Sequence, residues 1–447
     1  MKKKLPWSEA QFNGACRIVE DLRRRGYEAL FAGGCVRDLL LERLSPDIDI
    51  ATSATPETVL HLFPRVIPVG LKYGVVCVLV DEFSYEVTTF RTDFDYQDHR
   101  HPSRVEFTDA RTDAQRRDFT INGLFYDPIL DRILDYVAGQ EDIRLRCIRA
   151  IGHPADRFAE DYLRMLRALR FACTLGFRIE SDTMKAIRAG AREILHVSWE
   201  RIRDEVKKML TGPQPAQALD LLAESGLLDW ILPEVAAMRG VEQPAEFHPE
   251  GDVYTHTRNM LGHLHHPSFT LAMGVLLHDV GKPPTFHVAD RIRFDQHVEV
   301  GATLAEAICQ RLRLSNEETG RILDLVRQHM RFMPVQEMRP STLKRFLRQE
   351  HFEEHLELHR IDCLGSHGDL SNWDFCRARL DEMKTEEIRP KRLLGGDDLI
   401  QLGYRPGPLF QRILLALEDA QLEGQVSDRS QALSWVAGHF PLDKEPS

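Results

Sequence analysis

The stretch Gly33-Gly34-Cys35-Val36-Arg37-Asp38, followed shortly by Asp47-Ile48-Asp49, decides how the rest of the chain reads. Gly33 and Gly34 stand where an apolar run, Ala29 to Ala32, reads as a strand and meets a helical pattern beginning near Val36. Glycine at such a junction lets backbone approach a ligand closely, and N–H groups at a helix start suit a phosphate. Asp47 and Asp49 flank Ile48, so in a strand both carboxylates face one side while Ile48 faces the core. Two carboxylates on one face repel unless a cation lies between them. Mg²⁺ takes a couple of carboxylates together with phosphate oxygens and water, and suits this pattern. Alone, a Gly-Gly turn or a solvated Asp-Ile-Asp strand end is the commoner origin of such short motifs; together they point to a metal-triphosphate site.

A chain of 447 residues exceeds one hydrophobic core and predicts two to four domains. With 43% hydrophobic and 28% charged residues it has the composition of an ordinary globular protein. A net charge of −11 argues against wholesale electrostatic binding of nucleic acid, so any such contact must use local basic patches. The cysteines are scattered without a Cys-x-x-Cys pair and read as reduced thiols of a cytosolic protein. The basic start, Met1-Lys2-Lys3-Lys4, lacks the apolar run of a signal peptide, and Leu271 to Leu277 is too short to span a bilayer. The expectation is a cytoplasmic protein with no membrane partner.

Outward from the opening motifs, Trp7 to Arg25 predicts a first helix, and Tyr73–Val80 with Phe83–Phe90 predicts a hairpin turning at Asp81-Glu82. Arg91 to Arg104 is polar, aromatic and basic with little periodicity, the pattern of a mobile loop. A helix is expected to resume beyond Arg116, and a short strand pair to close the first domain near Ala150. From Asp156 the apolar spacing is helical, over Phe158–Leu175, Ser181–Ile194, Trp199–Leu210 and Ala216–Leu228. Proline-rich breaks at Gly212–Pro215 and Gln243–Gly251 suggest boundaries. Arg116-Arg117-Asp118-Phe119-Thr120-Ile121-Asn122 concentrates two guanidiniums, a carboxylate and an amide, more than a solvated helix start needs, and its arginines suit triphosphate or ribose.

Two further stretches, Glu160-Asp161-Tyr162-Leu163-Arg164-Met165-Leu166-Arg167-Ala168-Leu169-Arg170-Phe171 and Ser198-Trp199-Glu200-Arg201-Ile202, complete a set of five motifs in order. With them the chain resembles, over nearly its whole length, the class II tRNA nucleotidyltransferases (CCA-adding enzymes) and the related bacterial poly(A) polymerases of the polymerase-β-like superfamily. The resemblance implies an α+β head of polymerase-β nucleotidyltransferase type, a small mixed sheet with helices, followed by all-α neck, HD and tail regions. The corresponding ranges are 1–150, 151–240, 241–385 and 386–447.

The resemblance also implies roles. Asp47 and Asp49 would hold Mg²⁺ in a two-metal arrangement, with Glu86 as first candidate and Asp118 as second for a third carboxylate. Gly33, Gly34, Arg37, Arg117, Arg167 and Arg170 would contact nucleotide or triphosphate, Arg116 less clearly. Asp161 and Arg164, three apart, would share a helix face. A carboxylate accepts from the exocyclic amine that cytosine and adenine possess, and an arginine donates to ring nitrogens; uracil and guanine present a carbonyl instead. Such a pair would accept CTP and ATP and reject UTP and GTP, whereas an intrahelical ion pair is the commoner fate of Asp-x-x-Arg. Arg91 to Arg104 resembles the family's flexible loop, which reshapes the pocket between C and A addition. The implied partners are the tRNA 3′ end, CTP and ATP, with no DNA.

A second chemistry lies downstream. His256, His278-Asp279 and Asp362 follow the order of HD-domain metal phosphohydrolases, and Asp279-Val280-Gly281-Lys282 extends the doublet. Imidazole with carboxylate suits a divalent transition metal, and His297 and His329 can add ligands for a second ion. The resemblance suggests phosphatase or 2′,3′-cyclic phosphodiesterase activity on RNA ends, while His263, His265 and His266 read as solvated. Arg389-Pro390-Lys391-Arg392 through Tyr404-Arg405-Pro406-Gly407 resembles the tail that holds the tRNA body. CCA addition is the first reading, an A-adding enzyme or poly(A) polymerase the second. A third makes the HD domain the working enzyme and the head a non-catalytic RNA-binding module.

Overall fold

In the computed structural model, which describes residues 5–96, 102–244, 246, 248, 249, 251–383 and 391–442, the run Ala29–Ala32 is strand β1 and is buried at every position. It is backed by helix α1 (Glu9–Arg24), whose buried stripe includes Ala15, Ile18, Val19 and Leu22 and whose start is capped by Ser8. By its internal packing the chain forms two units, Met1–Ala236 with His265–Phe269 and Arg311–Arg313, and Ala237–Leu264 with Thr270–Gln310 and Leu314–Ser447.

In the first unit β1 leads to α2 (Gly34–Leu40), β2 (Ile50–Thr52), α3 (Pro56–Leu62), β3 (Val66–Gly70), β4 (Val75–Val80) and β5 (Phe83–Thr89). After β6 (Arg91–Tyr96), β7 (Pro102–Phe107) and α4 (Ala110–Arg116), strands β8 (Leu124–Asp127) and β9 (Arg132–Asp135) complete a mixed seven-stranded sheet, order β3-β4-β5-β2-β1-β8-β9. Only β2 and β5 run parallel within it. Their register, Ile50 beside Val87, decides the site. The preceding residues, Asp49 and Glu86, fall side by side on the face opposite buried Ile50 and Val87. The β4–β5 hairpin turns at Asp81, as expected, with a left-handed φ of 54°.

Three expectations are corrected. Asp47-Ile48-Asp49 precedes the strand, which starts at Ile50, although the alternation holds: Ile48 is 1% exposed while Asp47 is open to solvent. The segment from Arg91, read as a loop, pairs as an antiparallel ribbon of β6 and β7, with Arg91 opposite Phe107 and Thr92 opposite Glu106. Its alternation of Thr92, Phe94 and Tyr96 with aspartates is a period-two signal that the charge density obscured; residues 97–101 lie outside the described set. No helix starts at Arg116; α4 ends there, and a single turn, Thr120–Asn122, leads into β8 before the next helix at Gly139.

After α5 (Gly139–Arg144), β10 (Cys147–Ile148) pairs in parallel with β11 (Arg178–Ile179). Helices α6 (Pro154–Glu160), α7 (Leu163–Leu175), α8 (Ser181–Gly190), α9 (Trp199–Leu210), α10 (Pro215–Glu224), α11 (Leu228–Ile231) and α12 (Pro233–Ala236) complete the unit. The helix expected over Phe158–Leu175 is therefore two helices. Asp161 breaks it: its backbone is extended (φ −152°, ψ 104°), and its Oδ1 accepts the Leu163 N–H at 3.1 Å, capping the next helix. Asp161 and Arg164 consequently do not share a helix face, and no ion pair forms between them.

The second unit is mostly helical: α13 (Val253–Gly262), α14 (Phe269–Leu277), α15 (Lys282–Thr285), a ribbon of β12 (Phe286–Val288) and β13 (Ile292–Phe294), then α16 (His297–Arg311) and α17 (Asn316–Gln328). α18 (Pro340–Leu347), α19 (Phe352–Gly365) and α20 (Ser371–Glu382) precede α21 (Gly396–Gln401), α22 (Pro408–Leu422) and α23 (Arg429–His439). Tyr404 belongs to a core with Leu399, Ile413, Leu417 and Val436, and its hydroxyl donates to the Phe440 carbonyl at 2.5 Å. Arg389 and Pro390 lie outside the described residues. No helix among the described residues is long and apolar enough to cross a membrane.

Candidate functional site

In the first unit a cavity of about 520 Å³ opens over the sheet, lined by Gly33, Gly34, Asp49, Glu86, Asp118, Asn122, Asp161, Phe171 and the arginines 37, 91, 116, 117, 164, 167 and 201, among others. Seven guanidiniums against four carboxylates make an anion-binding wall inside a protein of net charge −11. Gly33 is required here. Its φ is +76°, and a Cβ would stand 2.9 Å from Arg117 Nη1.

The segment carrying the aspartates is pinned by its backbone. The Asp47 carbonyl accepts from Trp7 Nε1 at 3.2 Å and Ser45 Oγ at 3.0 Å, and the Asp49 carbonyl accepts from the Ala32 N–H at 2.9 Å. Both carboxylates stay uncommitted to this scaffolding. Burial, then the Glu86 carboxylate, raise the pKa of Asp49 to about 6, with Asp47 adding to the rise and Arg117 only partly offsetting it. This is a hard-oxygen donor set short of positive charge, which fits a divalent cation. Asp47 is not among the residues lining the cavity.

Asp118 is different. It is 9% exposed, and it accepts from Arg167 Nε and Nη2 at 2.9 and 2.6 Å, from Asn122 Nδ2 at 3.0 Å and from the Phe119 N–H at 2.8 Å. Burial opposes its ionisation, but Arg167 and Asn122 outweigh that and hold its pKa far below the carboxylate range. With its oxygens so committed Asp118 holds Arg167, whereas Glu86 lies beside Asp49.

Arg37 donates to Asn122 Oδ1 at 2.8 Å and forks onto Asp38 at 2.9 Å. Arg164 reaches Glu160 Oε2 at 2.5 Å and the Arg157 carbonyl at 2.9 Å. Arg170 does not line the cavity. It turns to buried Glu205, 2.5 Å from Nε, and lies 4.0 Å over the Phe171 ring, which Arg37 and Arg167 approach at 5.1 and 5.5 Å.

Sequence reasoning assigned no role to Asp113, and named Arg201 within a motif without its partner. Asp113, fully buried on α4, accepts from Arg116 Nε at 2.9 Å, Arg117 Nε and Nη2 at 3.1 and 2.9 Å and the Arg91 N–H at 3.2 Å. Burial opposes its charge, and Arg117 with Arg116 overcomes it, lowering the pKa. The local spacing Asp-x-x-Arg-Arg on a helix was the available signal. Arg201 forks onto Asp161, Nη1 to Oδ1 at 3.2 Å and Nη2 to Oδ2 at 2.7 Å. Nothing local announces a pair 40 residues apart.

The second unit brings together the histidines and aspartates of the HD pattern. Ligand-type atoms of His256, His278 and Asp362 lie within 4.8 Å of one another, as do those of Asp279, His297 and His329. His256 Nε2 is 3.0 Å from Asp362 Oδ1, and His278 Nε2 is 3.1 Å from Asp279 Oδ2. The Nδ1 atoms of His278, His297 and His329 bond the carbonyls of Val275, Phe294 and Val326 at 2.9, 2.9 and 2.7 Å. That tautomer presents each Nε2 lone pair to the cluster. These three buried Nε2 atoms make no hydrogen bond among the described residues. Burial lowers the pKa of His329 to about 4 and that of His297 also, so both are neutral at pH 7. Orphaned, neutral, buried imidazole nitrogens beside carboxylates fit a divalent metal.

Lys282, itself buried, donates to Gln243 Oε1 at 2.6 Å and stands 2.7 Å from Asp279 Oδ2. Gly281 answers a close approach: a Cβ there would be 2.1 Å from the His297 carbonyl oxygen. A cavity of about 430 Å³ adjoins the cluster, walled partly by Ile292, Phe294, Met330 and Met333.

Asp49, just ahead of β2, and Glu86 on the parallel neighbour β5 stand under an arginine wall, the arrangement of a nucleotidyltransferase-type head, and the second unit carries an HD-type cluster of histidines and aspartates. Residues 29–149 match the poly A polymerase head domain, 176–239 the "Probable RNA and SrmB- binding site of polymerase A", and 252–360 the HD domain. The CCA-adding enzyme of Geobacillus thermodenitrificans is 50% identical over 221 residues, 49% of this chain and 54% of that protein. That of Geobacillus kaustophilus is 49% identical over 227 residues, 51% and 56%. The aligned stretch thus spans about half the length of these curated relatives. The crystal structure of the Bacillus stearothermophilus CCA-adding enzyme in complex with CTP superposes with a TM-score of 0.73 at 29% identity, covering 97% of this chain and 98% of that one. A Thermotoga maritima CCA-adding enzyme complexed with tRNA shares the fold, with a TM-score of 0.63, 18% identity and coverage of 97% and 96%. The chain is thus similar to poly(A) polymerases and CCA-adding enzymes in its head and neck, and its residues 252–360 match the HD domain.

Proposed function

We propose that this chain is a template-independent CCA-adding tRNA nucleotidyltransferase, extending the tRNA 3′ end with CTP and ATP and releasing pyrophosphate. The observation that carries this reading is that Asp161 and Arg164 line the same cavity as Asp49, Glu86 and Arg117, so a base-reading pair and a phosphoryl-transfer site share one enclosure. Asp161 accepts from the exocyclic amine of cytosine or adenine, and Arg164 donates to the adjacent ring nitrogen. Arg37, Arg117 and Arg167 hold the triphosphate and ribose, each pre-aimed by its own partner, Asn122, Asp113 or Asp118. Gly33 and Gly34 let the phosphates approach the backbone. Asp47 and Asp49 hold Mg²⁺, with Glu86 as third carboxylate; bound Mg²⁺ supplies activation of the attacking 3′-hydroxyl and charge stabilisation of the pyrophosphate. Arg170 and Glu205 steady Phe171 behind the arginines. The tail from Lys391 grips the tRNA body, and the enzyme works in the cytoplasm.

In the second unit, His256, His278, Asp279 and Asp362, with His297 and His329, hold a divalent transition metal for hydrolysis of phosphorylated RNA ends. The three orphaned Nε2 atoms support this second activity.

The test supplies tRNA lacking its 3′ end, and then tRNA ending in CC, with CTP, ATP or both. Ordered addition of C, C and A followed by arrest is expected. Long A tails, or addition only to the CC form, would redirect the reading to a poly(A) polymerase or an A-adding enzyme. Asp49→Ala is expected to lower incorporation by about 10³-fold or more; unchanged incorporation would overturn the head assignment.

A further inference from the structure

A carboxylate that merely lies near a base does not by itself exclude uracil. Uracil offers an N3–H donor one atom along from its O4 carbonyl, so an acceptor free to swing by one position can recover a hydrogen bond from UTP. Strict choice of an exocyclic amine needs a carboxylate that is ionised, so that it never donates, and fixed in plane, so that it cannot change register.

Arg201 supplies the second condition. From the first turn of α9 it forks side-on onto both oxygens of Asp161, at 3.2 and 2.7 Å, and lines the cavity with it. A two-point guanidinium–carboxylate pair fixes the carboxylate plane as well as its position. The third contact, from the Leu163 N–H to Oδ1 at 3.1 Å, ties the same group to the start of α7, the helix that carries Arg164. Acceptor and donor are thereby set at a fixed spacing, even though Asp161 lies outside that helix. Arg164 is held separately through Glu160, so Arg201 acts on the acceptor alone.

We infer that Arg201 is a positioning residue for nucleotide choice: by locking the Asp161 carboxylate it enforces rejection of UTP, while adding little to the affinity for CTP. The inference rests on the reading of Asp161 as the base-contacting acceptor. Arg201→Gln keeps length and polarity but loses the fork. It is expected to raise the UTP-to-CTP ratio of kcat/KM by about tenfold or more while CTP turnover falls far less. Arg201→Lys, which restores the charge without the planar fork, is expected to recover part of the selectivity. Asp161→Ala serves as reference, and the double variant with Arg201→Gln is expected to be no more permissive than Asp161→Ala alone. Thermal melting accompanies each variant, and the ratio is read only from folded protein, with Arg201→Lys standing in should the glutamine variant not fold. If CTP and UTP use fall in parallel in the Arg201 variants while Asp161→Ala relaxes the choice, Arg201 is a structural tie and the inference fails. If Asp161→Ala leaves the choice unchanged, the base-reading assignment fails and takes the inference with it.

Discussion

The two candidate centres of this chain are prepared in opposite ways. In the head cavity almost every arginine is already spoken for, Arg167 by Asp118, Arg117 by Asp113 and Arg201 by Asp161, and the unbalanced groups are carboxylates, with Asp49 raised to about 6. In the HD cluster burial keeps His297 and His329 neutral, the Nε2 atoms of His278, His297 and His329 turn inward, and the unbalanced groups are lone pairs. The first arrangement suits ligands that bring their own charge, such as a cation and a triphosphate. The second suits an ion held between neighbouring side chains. The two centres thus carry different physical marks: partly buried, mutually repelling acids in one case, and buried, desolvated acceptors in the other.

The largest expected effect tests the HD half of that contrast. His278→Ala removes one of the three inward Nε2 atoms, and divalent-metal affinity of the purified protein should fall by at least about tenfold, measured by elemental analysis after dialysis. Phosphohydrolase activity should vanish with it while nucleotide addition persists. Retention of the metal with the parent's stoichiometry would mean that the cluster is not its site.

The next effect probes how the head's arginines are held. Asp113 is the counter-charge of Arg116 and Arg117 and also takes the N–H of Arg91 at the root of the β6–β7 ribbon. Asp113→Asn leaves two guanidiniums without a buried anion, which should cost roughly 3 kcal/mol and several degrees of melting temperature. Inorganic triphosphate should restore part of that loss in the variant, because it replaces the missing charge; an equal shift in parent and variant would show that Asp113 does not balance the ligand-facing arginines.

What the sequence disclosed of these sites follows the range of the interactions. Gly33-Gly34 and the Asp47/Asp49 alternation around Ile48 are legible because they depend on local backbone geometry and period, and the His and Asp of the HD pattern because metal ligands carry a recognisable chemistry. The break at Asp161 was not legible, since one side-chain cap, Oδ1 to the Leu163 N–H, overrides a continuous helical pattern of apolar residues. Nor was the ribbon from Arg91, where a period of two hid among charges. The pairings of Arg201 and Glu205 escaped for a different reason: their partners, Asp161 and Arg170, are supplied by tertiary packing, which no spacing encodes.

The smallest expected effect bears on the head's half. Asp49 has a folded pKa of about 6 against an ordinary 3.8, so its ionisation works against the fold. The sign follows: stability is lowest above pH 6, rises as pH falls through 6 and is fully recovered below about 4, where Asp49 is protonated in both states. Asp49→Asn, neutral at every pH, should therefore melt higher than the parent at pH 7.5, by no more than about 3 kcal/mol, with the gap closing towards pH 4. Magnesium should raise the melting temperature of the parent at pH 7.5 and do so much less in the variant, since the repulsion it relieves is already gone. A variant that melts lower than the parent at pH 7.5 would mean that Asp49 is balanced within the fold. The contrast between charge-hungry acids in the head and orphaned lone pairs in the HD cluster would then collapse on the head's side.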